Sequence, residues 1–130
     1  MRQLLSTNAA GIAAGTVAGN MVFTAASAID VATMKRVSEA DTIKDETRVI
    51  LQRIERTLAE AGCTLRDLAK VTCFVSEEEH RLDFAAAWRD LLAPGPYPSR
   101  AMVRMDLVSD CRVQVDAIAV LPAGEGKDRR

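Results

Sequence analysis

The sequence predicts an α+β fold, a single β-sheet with two helices packed on one face. Three observations carry that reading. One segment repeats apolar residues at helical spacing for about five turns, several others alternate with a period of two, and the elements follow one another as strand, strand, helix, strand, helix, strand, strand. At 130 residues the chain is about the size of one ordinary domain. We therefore read residues 1–130 as one domain, with 122–130 as a frayed polar tail.

The chain begins with a small-residue stretch, residues 9–26, that follows Arg2. Gly11, Gly15, Thr16, Gly19 and Asn20 interrupt it, so it offers neither an export signal nor a membrane span. It reads instead as a loop followed by strands, in a soluble cytoplasmic protein. Residues 20–26 form an apolar run of strand formers after a Gly19-Asn20 turn signal, and residues 16–18 pair with it as a hairpin. Residues 27–39 show no clear period and read as a loop.

The first helix has the strongest local signal. Ile43, Thr47, Ile50, Leu51, Ile54, Leu58 and Ala61 make one stripe, Asp41 or Thr42 caps its start, and Gly62 ends it. Asp45 and Glu46 favour its first turn by their charge. Residues 68–75 (LAKVTCFV) read as a strand buried on both faces, with Val71, Cys73 and Val75 alternating with Thr72 and Phe74. The charged cluster 77–81 leads into a second helix that buries Phe84, Ala87, Trp88, Leu91 and Leu92, and the run Pro94-Gly95-Pro96-Tyr97-Pro98 stops it. Residues 100–107 and 112–121 close the chain as alternating strands, with Ser109 and Asp110 as the turn. With both helices on one face, the other sheet face is left to be covered by oligomerisation.

Composition excludes several functions. Seventeen basic residues against eighteen acidic ones give a net charge of −1, without the basic track that nucleic acid requires. The three cysteines, Cys63, Cys73 and Cys111, lack metal-ligand spacing, and His80 is the single histidine, so no metal site is expected. Cys111 sits beside Arg112, a neighbour able to lower its pKa, but it reads as a structural thiol. His80 lies in a charged stretch and reads as solvated.

One pair carries chemistry. If the last two strands form a hairpin about Ser109, Arg104 faces Gln114, Asp106 faces Arg112 and Met102 faces Asp116. Arg100 and Asp116 then become diagonal neighbours, roughly 7–8 Å apart on one face. A guanidinium fork binds a carboxylate, and a carboxylate positions or deprotonates water, which together suit hydrolysis of a small anion. The plain alternative is an ion pair that ties two strands together and contributes little.

Pro98-Ser99-Arg100-Ala101-Met102-Val103, followed by Val113-Gln114-Val115-Asp116-Ala117-Ile118-Ala119, resembles the signature of the RidA/YjgF family. Gly19-Asn20-Met21, Glu46-Thr47-Arg48, Ala59-Glu60-Ala61-Gly62 and Lys70-Val71-Thr72-Cys73-Phe74-Val75 extend the resemblance over about residues 15–121. The resemblance implies a chorismate-mutase-like fold and a homotrimer with three intersubunit clefts. The activity it implies is cofactor-free hydrolysis of reactive 2-imino and enamino acids to 2-oxo acids and ammonia, with a small carboxylate-bearing metabolite as partner and neither nucleic acid nor membrane. Arg100 matches the family arginine that holds the substrate carboxylate, and Asp116 a glutamate that positions the attacking water. Backbone groups at Ala101 and Met102 complete the pocket.

Several polar family positions are apolar in this chain: Ile12, Ala25, Ala26, Ala85 and Met102 replace a tyrosine, a Ser-Gly pair, an asparagine and a cysteine. Gln114 replaces a glutamate, and Ser27 and Thr24 are the hydroxyls left to compensate. These replacements favour a bulkier or less polar substrate, and a specialised catabolic deaminase or a non-catalytic metabolite-binding trimer stands beside the general deaminase.

Overall fold

A computed structural model of the chain describes residues 1–5 and 11–123. The strands are β1 (Arg2–Leu4), β2 (Gly15–Ala18), β3 (Met21–Ser27), β4 (Ile29–Asp30), β5 (Lys35–Arg36), β6 (Leu68–Val75), β7 (Ser99–Arg104) and β8 (Val113–Val120). The helices are α1 (Ile43–Glu60) and α2 (Arg81–Leu92). Six strands form one sheet in the order β1-β2-β3-β8-β6-β7, and β4 and β5 pair separately. The expected loop at 27–39 therefore contains a small ladder, Ile29 opposite Arg36, too short to show any periodicity. Strand β1 was also absent from the sequence reading, because three residues at a terminus offer no pattern.

Helix α1 forms as its stripe demands. Thr42 Oγ1 accepts the Asp45 N–H at 3.0 Å while Asp45 Oδ2 accepts the Thr42 N–H at 3.3 Å, a reciprocal cap. Ile43, Thr47, Ile50, Leu51, Ile54 and Leu58 are all buried. Beyond the helix, Gly62 adopts φ +80°, a conformation that a side chain would strain. On α2, Phe84, Ala87, Trp88 and Leu92 are buried, with the Phe84 and Trp88 rings 5.6 Å apart.

Both helices cover one sheet face. Val22 on β3, Val71, Cys73 and Val75 on β6, and Val113, Val115 and Ala119 on β8 join them in one core. The alternate residues, among them Thr16, Phe23, Ala25, Thr72, Phe74, Asp116 and Ile118, share the opposite face, which carries no helix. Among the described residues no helix is long and apolar enough to cross a membrane. The tail residues 124–130 lie outside the described residues.

The last two strands do not form the expected hairpin. Strand β6 lies between them, antiparallel to β8 and parallel to β7. Two physical features decide this. Residues 105–112 separate the strands, longer than a tight hairpin turn. Strand β8 is buried at every second residue and so belongs in the sheet centre, whereas β7 carries exposed Arg100 and Arg104 and suits an edge.

Candidate functional site

Asp116 stands near the middle of β8, half-buried, between Ala25 of β3 and Thr72 of β6. It faces a cavity of about 500 Å³ on the helix-free side of the sheet. Thr16, Phe23, Ile118 and Lys70 contribute to its floor, and residues 12–14 form a wall. Thr24 Oγ1 donates to the Ala14 carbonyl at 2.8 Å and so ties that wall to β3. The Asp116 carboxylate accepts from Gln114 Nε2 at 3.2 Å, a contact between alternate residues of one strand.

Gly15 lets the wall approach. A Cβ there would meet Thr57 Cγ2 at 2.6 Å and the Phe23 carbonyl oxygen at 2.9 Å. A second cavity, about 720 Å³, lies where β3 meets α1 and is lined in part by Ile12, Ala25, Ala26 and Ser27. Its apolar character comes largely from Leu5, Ile29, Val31, Val37 and Val49. Arg53 Nη1 fixes its rim by donating to the Ser27 and Ile29 carbonyls at 2.9 and 2.7 Å.

The remaining site candidates lie elsewhere. Arg100, Ala101 and Met102 sit on β7, two strands from β8, and Ala85 is half-buried on α2, the crossover between β6 and β7. None of these four lines either cavity. Because Arg100 pairs with Val71 in register, its side chain leaves on the helix-covered side, whereas Asp116 pairs with Thr72 and leaves on the bare side. The diagonal Arg100–Asp116 arrangement expected of a hairpin is thus absent. Ala101 shares the Asp116 face, but two strand spacings put their backbones about 10 Å apart. Arg100 is exposed and makes no hydrogen bond or ion pair among the described residues.

Of the two expected compensating hydroxyls, that of Thr24 is taken by Ala14, and the Ser27 side chain lies close enough to the Cys111 thiol to lower its pKa slightly against burial. The Cys111 pKa is raised, with burial as the largest cause, so the neighbouring Arg112 does not activate it. Arg112 is already engaged, donating from Nε to Glu46 Oε1 at 2.7 Å and from Nη2 to the Ala40 and Asp41 carbonyls. Burial likewise raises Cys63, and it pushes Cys73 up to about 12. His80 ends a short 3-10 turn, Glu78–His80, beside a broad polar cleft that Arg104 and Arg112 share.

Lys70 was the residue missed. It lines the Asp116 cavity, and alternation with the buried Val71, Cys73 and Val75 puts it on the Thr72 face; what spacing alone does not show is that this face meets Asp116. The ladder pairs Leu68 with Ala119 but Lys70 with Ile118, so β6 gains one residue at Ala69. That bulge lets Leu68 and Val71 both face the core, while Lys70 and Thr72 lie on the Asp116 face.

A single mixed sheet in this strand order, backed by two helices on one side, defines a chorismate-mutase-like α+β protein. The chain belongs to the family described as Endoribonuclease L-PSP, whose model matches residues 7–121, and within it to the RidA/YjgF proteins. The RutC family protein YjgH of Escherichia coli K12 is 26% identical over 80 residues, 61% of this chain and 61% of that protein. The matched stretch thus spans less than two thirds of that relative.

Three solved structures share the fold. The E. coli YjgF gene product has a TM-score of 0.80 at 20% identity, covering 92% of this chain and 98% of that one. E. coli TdcF with bound serine has a TM-score of 0.80 at 20% identity, covering 94% and 100%. YyfA of Yersinia pestis, a Rid-family protein of unknown function, has 0.78 at 19%, covering 92% and 98%.

Proposed function

We propose that this chain is a cytoplasmic, cofactor-independent hydrolase that converts small 2-imino and enamino acids to 2-oxo acids and ammonia in clefts of a homotrimer. One observation carries the reading: a free guanidinium and a pocketed carboxylate are displayed on opposite faces of one sheet. One chain thus offers two half-sites. A second copy laying its β7 edge over the Asp116 cavity would bring Arg100 to the substrate carboxylate and leave Asp116 beside the imine carbon. The bare sheet face, with Phe23, Ile118 and Met21 on it, is the surface such a copy would cover.

The chemistry needs little machinery. An enamine first takes a proton at its β-carbon to become the iminium, the protonated form of the imine. Asp116 positions water and accepts its proton as the oxygen attacks the imine carbon, giving a carbinolamine. Return of that proton to nitrogen expels ammonia, and the hydroxyl proton is lost as the C–N bond breaks to leave the 2-oxo acid. Acid–base help of this kind typically contributes about 10²–10⁴-fold. The serine bound by TdcF, an amino acid on the same fold, supports a small carboxylate-bearing ligand. The alanines and Ile12 around the cavity favour, as a second reading, a bulkier substrate in a specialised pathway.

The test is imine turnover. An amino-acid oxidase generates 2-imino acids, semicarbazide traps what survives, and wild type is compared with Arg100→Ala. Faster imine loss with wild type alone is expected. No acceleration over short, branched and aromatic imines would overturn the general deaminase; ligand binding that depends on Arg100 without turnover would leave a binding trimer. An RNA substrate run in parallel checks the activity for which the family is named.

A further inference from the structure

Two charged side chains share the Asp116 cavity without meeting. Lys70 and Asp116 are diagonal neighbours on the same face, since Lys70 stands opposite Ile118, two residues along β8. That relation puts their backbones about 7–8 Å apart, within side-chain reach. Even so, no ion pair forms between them, and Lys70 makes no hydrogen bond among the described residues. The cavity between them is floored by Thr72 and Ile118 and walled by residues 12–14.

The cation is there because of the backbone. Without the extra residue at Ala69, the Leu68–Ala119 register would place Lys70 opposite Ala117, among the core side chains, and Val71 opposite Asp116. The bulge lets Leu68 and Val71 both be buried while Lys70 lies on the pocket side of the strand. Bulges re-aim side chains in this way beside functional sites. Lys70 is exposed at the rim of the cavity it lines, and an ammonium with no ion pair to the local carboxylate is suited to a ligand's anionic group.

We infer that Lys70 determines specificity by binding a second carboxylate of the substrate, which makes the substrate class 2-imino and enamino dicarboxylic acids. This rests on the deaminase reading: Arg100 of a neighbouring copy takes the first carboxylate, Asp116 serves the imine carbon, and Lys70 takes the distal group. The amide of Gln114 already donates to Asp116, leaving Lys70 as the cation lining this cavity.

Equilibrium binding of product analogues tests it without requiring turnover. The probes are 2-oxoglutarate and 2-oxopentanoate, equal in carbon count and differing in the distal carboxylate. Wild type is expected to prefer 2-oxoglutarate by about tenfold or more, as one well-formed charge contact allows. In Lys70→Met the ratio falls to near unity, and Lys70→Arg restores it. A ratio near unity in wild type, a preference that survives Lys70→Met, or failure of both probes to bind would each overturn the inference. Because the readout is binding, a dicarboxylate preference lost in Lys70→Met upholds the Lys70 site even where no imine is turned over. Turnover of monocarboxylic imines with no such preference upholds the deaminase and removes Lys70 from it.

Discussion

Glu46 and Arg112 form a two-pronged contact between the first turn of α1 and the start of β8. The Glu46 side chain is fully buried. One oxygen accepts from Arg112 Nε at 2.7 Å, and the other accepts the main-chain N–H groups of Arg112 and Val113 at 2.8 and 3.1 Å. The carboxylate thus fixes the strand that carries Asp116, three residues beyond Val113. Glu46→Ala removes the acceptor of two main-chain N–H groups and of Arg112 Nε, while the Arg112 bonds to the Ala40 and Asp41 carbonyls remain, and is expected to cost about 1–3 kcal/mol. Glu46→Gln, which keeps an acceptor, costs less. Urea midpoints check both, and a loss below about 1 kcal/mol for Glu46→Ala would show that the contact does not anchor β8.

Gly15→Ala is expected to destabilise the chain by about 1–3 kcal/mol. The new methyl meets the Phe23 carbonyl oxygen at 2.9 Å, which is backbone and cannot turn aside, as well as Thr57 Cγ2. Relief requires β2 to move from α1, and Gly15 also lines the Asp116 cavity, so ligand affinity falls with stability. Gly15→Ala combined with Thr57→Ser removes one clash and leaves the other. Recovery in thermal melts should therefore be partial, and full recovery would show that the Phe23 contact is slack.

Burial raises all three thiols, and Cys73 furthest, from 9.0 to about 12. At pH 8 the Cys73 thiolate fraction is then lower than that of an ordinary thiol by about a thousandfold. Native protein should react with a thiol reagent far more slowly than protein in denaturant. The pH dependence has a definite sign. Between pH 9 and about 12 the folded chain keeps a proton that the unfolded chain releases, so stability falls as pH rises through that window and is unaffected by Cys73 below it. Cys73→Ala should flatten that fall in denaturant midpoints at about pH 8 and about pH 10; identical slopes in the two proteins would exclude the thiol as its source.

Local order was legible where the sequence carried strong periodicity. The α1 stripe, the Thr42 cap and strand Leu68–Val75 follow from residue spacing, because helical burial and strand alternation act within one element. Pairing between elements was less legible. Nothing in residues 99–120 says that β6 intervenes, so Arg100 and Asp116 looked like neighbours when the sheet puts them on opposite faces. The site was legible in part: Ile12, Ala25 and Asp116 do share a cavity. The face of Lys70 was legible from alternation with Val71, Cys73 and Val75, but its nearness to Asp116 was not, because that depends on the pairing of β6 with β8.

If the two half-sites belong to different chains, Arg100→Ala and Asp116→Ala must complement each other. Each variant alone lacks one half of every cleft and should lose imine turnover by about 10²-fold or more. When the two are unfolded together and refolded as mixed trimers, some clefts receive an intact β7 edge from one chain and an intact cavity from the next. Random mixing in equal amounts gives about a quarter of the clefts both functional halves. Activity should therefore rise from near zero towards about a quarter of the wild-type value, whereas the two variants simply mixed while folded remain inactive. Arg100 is exposed and Asp116 only half-buried, so each variant is expected to fold, which circular dichroism checks. Absence of recovery in properly assembled mixed oligomers would mean that Arg100 and Asp116 act within one chain, and the cleft between copies would have to be abandoned.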